Sequence, residues 1–164
     1  MTLATYSPTA QLRFRGETFR AACGRTGVTT RKQEGDGATP AGTLLLRRLF
    51  YRADRIARPK TALPLEPLAP HDGWCDDPAA RAYNTQIALP ADAHHEELWR
   101  RDALYDIIGV LGWNDDPVQR GRGSAIFLHL ASPEYRPTDG CIALALFDVL
   151  HVLAGGLTGI DVLA

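Results

Sequence analysis

Four prolines within twelve positions, Pro59, Pro64, Pro67 and Pro70, limit what this chain can fold into more than any other feature. Proline has no backbone N–H and a fixed φ, so this stretch can form neither a helix nor a central strand. Residues 53–72 are expected to cross the molecule in extended form. Eleven prolines and fifteen glycines in 164 residues carry the same message along the whole chain, favouring a loop-rich, strand-based domain over a helix bundle. Too little chain flanks the proline stretch for two cores, so residues 1–164 are read as one domain.

Short strands are expected on either side. Leu12 and Phe14, then Phe19 and Ala21, alternate with polar neighbours, and Arg15-Gly16-Glu17 reads as the connection of a hairpin. Cys23, at the end of this hairpin, is expected in the core. Thr43–Arg52 is a strand whose alternation breaks at Arg47-Arg48, where a bulge is expected. Ile87–Pro90 is a short strand, Leu104–Leu111 fits a central buried one, and Thr158–Leu163 can close the sheet. Two segments read as helices. Ala91–Arg101 has Asp92 as cap, Glu96-Glu97 early and Arg100-Arg101 late, with His94 and His95 solvated in its first turn. Ala143–Leu153 carries a helical apolar face ended by Gly155-Gly156, with His151 favoured near its C-terminus by the dipole. The expected fold class is mainly β with a few helices, a mixed sandwich or barrel-like domain.

Charge and cysteine usage exclude several function classes. Eighteen basic residues against nineteen acidic ones give a net charge of −1, which is no footprint for nucleic acid or an anionic membrane. Three cysteines, at 23, 75 and 141, are too few and too odd for a disulfide framework and suit a reducing compartment. No stretch nears about 18 uninterrupted apolar residues, and the N-terminal twenty lack a signal-peptide pattern. The expected location is the cytoplasm, or the periplasm if the N-terminus is processed. The glycine-dense loop 24–42 lacks the lysine of a phosphate-binding loop, since Thr43 follows Gly42. His71 to Asp77 holds a His, a Cys and several carboxylates but not the paired ligands of a zinc site, so no metal or other cofactor is expected.

Chemistry is most visible between Gly123 and Leu150. Ser124–Leu130 is apolar and β-favouring with His129 set in it; Pro133, Pro137 and Gly140 bound a loop; Cys141 sits at a tight turn before the second helix. A sharp turn exposes a nucleophile and leaves backbone N–H groups free to face an oxyanion. His129 lies twelve positions before Cys141, which suits a Cys–His pair in which the imidazole takes the thiol proton. The alternative is plain packing, because free cysteines are among the most buried residues.

Thr138-Asp139-Gly140-Cys141-Ile142, with His129 upstream, resembles the signature of the YkuD-type L,D-transpeptidases. The flanks resemble a branch of the same family: EGDGATPAGTLLLRRLFYR at 34–52, GWCDDP at 73–78, Tyr83-Asn84, and GRGSAIFLHLA at 121–131. Two positions depart from the pattern, with Asp139 where the family has a second His and Ala143 two places after the cysteine.

The resemblance implies a single YkuD-like β-sandwich catalytic domain. It implies Cys141 as nucleophile, His129 as base and the Gly140 turn as oxyanion site. Asp139, Thr138, Arg122, Tyr83 and Trp74 are candidate substrate contacts, with Arg122 and Arg136 suited to a carboxylate and Lys32 and Glu34 on a loop that walls the site. The implied substrates are peptidoglycan stem peptides or soluble muropeptides, cut between an L-centre such as meso-diaminopimelate and a D-amino acid. Hydrolysis, an L,D-carboxypeptidase trimming tetrapeptides in murein recycling, is the first reading. Transpeptidation to 3–3 cross-links or D-amino acid exchange, and a non-catalytic muropeptide-binding domain, are the alternatives.

Overall fold

The computed structural model describes residues 1–164 and is mainly β with one helix. The strands in chain order are β1 (Leu3–Ser7), β2 (Gln11–Phe14), β3 (Glu17–Arg20), β4 (Val28–Thr29), β5 (Thr39–Pro40), β6 (Gly42–Tyr51) and β7 (Leu65–Pro67). They continue with β8 (Asp72–Cys75), β9 (Gln86–Ala88), β10 (His95–Glu97), β11 (Ile107–Leu111), β12 (Phe127–Leu130), β13 (Ile142–Leu144) and β14 (Gly159–Val162). Helix α1 (Leu146–Ala154) lies between the last two. No helix is long and apolar enough to cross a membrane.

One large sheet runs β13-β12-β11-β6-β14-β1-β2-β3, with β7 also paired to β6; β10-β8-β9 and β4-β5 form two smaller sheets. Arg15 and Gly16 both have positive φ, 48° and 85°, which gives the β2–β3 hairpin a two-residue turn of the favoured twist. Strand β6 serves both halves of the large sheet, pairing β14 through Gly42–Leu45 and β11 through Leu46–Tyr51. Its register against β11 skips Arg47, the bulge expected from the sequence. Strand β11 is buried at every position, and at Gly109 the backbone packs so closely that a Cβ would meet Leu46 Cδ2 at 2.6 Å. In the proline stretch only β7 pairs, for three residues.

The two faces of the large sheet are covered differently. On one, α1 contributes Val149, Val152 and Leu153 to a cluster with Leu128, Ile142, Leu144 and Ile160. On the other, the β10-β8-β9 sheet brings Trp74, followed by Leu98, against Phe50, Ile108 and Phe127. Trp74 meets Phe127 edge-on at 5.1 Å. Each such side chain contributes about 1.5–3 kcal/mol by leaving water.

Two helix expectations are corrected. Residues 91–101 form no helix; they contain β10, which pairs with β8 through Glu96 and Trp74. Caps and dipole-matched charges are worth about 0.3–1 kcal/mol each, and so short a helix is marginal without an apolar face. Here Leu98 alone is fully buried, and the open edge of β8 gains a partner instead. The second helix begins at Leu146, because Ile142–Leu144 is fully buried as β13 along the edge of β12. Its end is as expected, with Gly155 N–H donating to the His151 carbonyl and Gly156 at φ 86°. Cys23 is half-buried beside the larger cluster.

Candidate active site

Side chains alternate across a strand, so β12 sends Leu128 and Leu130 to the helix-covered face and Phe127 and His129 to the other. Strand β13 runs parallel to β12 with Leu128 opposite Ile142 and His129 opposite Ala143. Cys141, one residue before β13, falls on the same face as His129. Both side chains line a cleft of about 950 Å³ that opens where the small sheet stops.

The thiol is held from two sides. Cys141 Sγ donates to the Ala125 carbonyl at 3.2 Å and accepts the Phe127 N–H at 3.4 Å. His129 Nδ1 lies 2.8 Å from the Leu130 carbonyl, which requires the ring proton on Nδ1 and leaves the lone pair on Nε2. Cys and His thus share one cleft without a direct hydrogen bond between them. Burial pushes the Cys141 thiol well above its usual range, and the Glu96 and Asp139 charges push the same way. Burial lowers His129 to about 4. The resting pair is therefore neutral, thiol plus imidazole, a state suited to general-base transfer once a substrate carbonyl arrives.

The turn before Cys141 is built by short-range bonds. Thr138 Oγ1 donates to the Cys141 carbonyl at 2.6 Å and accepts the Gly140 N–H at 3.1 Å. The Asp139 and Cys141 amides have no acceptor in the protein. Gly140 sits at φ 138°, and a Cβ there would meet the Ala38 carbonyl at 2.8 Å. Its own carbonyl accepts the Thr39 hydroxyl at 2.8 Å. Gly140 thus shapes the turn, while its neighbours hold the free donors.

The residues singled out from sequence are distributed unevenly. Asp139 and Thr138 line the cleft, as do Lys32, Glu34 and Arg136. Asp139 is exposed and paired with Arg25 at the rim. Lys32 is buried and paired with Asp36. Trp74, Tyr83 and Arg122 lie outside the cleft lining. Trp74 is core, its indole N–H donating to Asn84 Oδ1 at 3.0 Å. Tyr83 donates to Glu34, whose other bond comes from Ser124 Oγ at 2.7 Å, so it braces the wall from behind. Arg122 is in a loop beside Trp113, whose indole N–H it accepts through its carbonyl at 2.8 Å.

Three residues are more central than their sequence context suggested. Asn84, buried at φ 58°, takes the Ala125 N–H and Trp74 N–H on Oδ1 and donates through Nδ2 to the Trp113 and Asn114 carbonyls. It holds Ala125 at φ 53°, the unusual conformation that turns the Ala125 carbonyl to Cys141. Tyr105 packs edge-on to His129 at 5.2 Å and donates to Glu96 at 2.8 Å. Glu96, read from the sequence as an early residue of a helix, lines the cleft. The only advance signal was Asn84 beside Tyr83 in the motif.

A family model described as YkuD, the L,D-transpeptidase catalytic domain, matches residues 8–153. No curated protein matches the chain.

Proposed function

We propose, since this chain belongs to the YkuD family of L,D-transpeptidase catalytic domains, that it is an L,D-carboxypeptidase of peptidoglycan stem tetrapeptides working in murein recycling. The family supplies the coarse activity, cysteine-dependent acyl transfer on peptidoglycan. The observation that carries the reaction on this chain is the shared cleft of Cys141 and His129, with Nδ1 of His129 tied to the Leu130 carbonyl.

In this reading the substrate carbonyl displaces the Ala125 contact of the thiol. Cys141 Sγ bonds to the carbonyl carbon as its proton passes to His129 Nε2. The oxyanion takes the unengaged Cys141 and Asp139 amides, each such donor being worth about 10²–10³ in rate. The C–N bond breaks, and the D-amino acid leaves with the proton from His129. Water then attacks the thioester, giving its proton to His129, and the tripeptide acid leaves as the thiol is restored. Asp139 and Thr138, on the cleft lining, are the proposed substrate contacts.

Water as the acceptor is supported by the charged, open lining around the thioester, which includes Arg25, Glu34, Glu96 and Asp139. Three unpaired cysteines are compatible with action on soluble muropeptides in a reducing cytoplasm. The test is incubation of the protein with a tetrapeptide, with and without an added D-amino acid. Release of D-alanine and tripeptide, with no exchanged tetrapeptide, is expected. Exchange would make it a transpeptidase, and no acyl-enzyme at Cys141 by mass analysis would make it a binder.

A further inference from the structure

Glu96 has no part in the steps above, yet it lies where they occur. Strand β10 sets it opposite Trp74, and its carboxylate lines the cleft with Oε2 accepting the Tyr105 hydroxyl at 2.8 Å. Three carboxylates meet here through their charges: Glu96, Asp76 and Asp139. Asp76 is paired with His94 and Asp139 with Arg25. Glu96, half-buried on β10, has no cationic partner. Arg100 is close enough to be felt but gives Nε and Nη2 to Asp102 at 2.9 and 2.6 Å. A half-buried carboxylate in a cleft, with one neutral donor and no counter-ion, is a place where a cation gains by pairing.

We propose that Glu96 is the subsite for the free ammonium of the diamino acid in a stem peptide, and that its occupation readies Cys141 for attack. The diamino acid spends one amine in the peptide chain and carries the other as a cation, the ion this position lacks. This deepens the acyl-transfer reading and rests on it for the identity of the ligand. The second half follows from placement, because Glu96 and Cys141 line the same cleft and a charge on one acts on the other. After burial, Glu96 is the largest influence holding the Cys141 thiol protonated. An ammonium seated on Glu96 cancels that influence and puts a positive charge near the developing thiolate. Burial holds the Glu96 carboxyl above the usual carboxylate range, and the same cation would bring it back down.

The test uses two tetrapeptides identical except that the free amine of the diamino acid is acetylated in one. Binding is measured on the full chain carrying Cys141→Ala, and turnover on the chain with its cysteine. A charge-assisted contact in a desolvated site predicts an affinity preference for the free amine of about 10–100-fold. Glu96→Gln should collapse the preference to near unity, and Glu96→Asp should restore part of it. Glu96→Gln should also speed alkylation of Cys141 by iodoacetamide in the absence of peptide. Equal binding of the two peptides, or a preference that survives Glu96→Gln, overturns the subsite. An unchanged alkylation rate overturns the activation. A preference that depends on Glu96, with no D-amino acid released by the unaltered chain, overturns the carboxypeptidase reading and leaves the subsite standing. Failure of the free-amine peptide to bind overturns both.

Discussion

Strand β12 divides the molecule into two regions of opposite character, and one residue step along it changes the physics. On the helix side, Leu128 and Leu130 join a cluster of 21 buried residues that is almost wholly aliphatic and fully covered. On the other side, Phe127 joins a cluster of 10 that is rich in aromatics, His129 packs on its Tyr105, and the face ends in an open cleft. The first region holds the sheet together by burial and asks little of individual geometry. The second holds Ala125 and Asn84 in the left-handed region and stations a neutral imidazole and thiol there. Such conformations cost about 1–3 kcal/mol each and persist only where surroundings over-determine them. The covered face thus stabilises what the open face spends on preorganisation.

The sharpest way to break that division is to cut one residue on each side. Cys141→Ala should reduce acyl transfer by at least about 10³-fold, because the covalent route is lost and only oxyanion donors and binding remain. Its thermal midpoint should fall only modestly, since the Ala125 carbonyl and Phe127 N–H lose a weak sulfur partner beside the cleft. Leu128→Ala should do the reverse. It should lower stability by about 2–5 kcal/mol through an unfilled core site and leave kcat/KM near its original value while folded. Urea melts and single-turnover kinetics on both variants check the pair. Activity lost with Leu128 while the chain remains folded would show that the two faces are coupled rather than separate.

How much of this was legible follows from the same division. The covered face was readable because burial marks the sequence: β6 alternates up to its bulge, while β11 and the strand through His129 are continuous apolar runs. The Cys141 turn was readable because Thr138, Gly140 and Cys141 build it through contacts two or three residues apart. The rest of the open face is assembled by contacts distant in sequence. Asn84 reaches Ala125 across 41 positions. Nothing local in Trp74 or Tyr83 says that they brace the wall from behind rather than line it. Glu96 was misplaced because its charge pattern satisfied a helix dipole equally well; the edge of β8, which decides the matter, is not local to it.

The pH dependence sharpens the comparison further, because the catalytic pair lies on the open face. His129 must be neutral to accept the thiol proton, and burial holds its imidazolium down to about 4. The sign is therefore that kcat/KM is sustained above this value and falls as pH drops through it. Below about 4 the loss should approach tenfold per pH unit. An exposed catalytic histidine would instead give an acid limb near about 6.5. Initial rates from pH 3.5 to 8, with circular dichroism confirming the fold at each point, distinguish the two. An acid limb at the ordinary histidine value would mean that the cleft is wetter than the buried ring implies.

The smallest expected effect lies at the rim, where the two regimes blur. Asp139 is on the cleft lining but is 88% exposed, and its pairing with Arg25 is an exposed one. Exposed pairs contribute about 0–1 kcal/mol, so Asp139→Asn should leave the melting temperature almost unchanged. Its amide, one of the unengaged donors of the turn, is untouched by the substitution. The chemical step should therefore keep kcat within about twofold, whereas a rim carboxylate that helps hold the peptide should raise KM about two- to fivefold, the range of a weak solvated contact. A KM identical to that of the unaltered chain removes Asp139 from substrate binding and leaves it as a surface partner of Arg25. A large fall in kcat would mean that the carboxylate acts on the chemical step itself rather than on peptide binding.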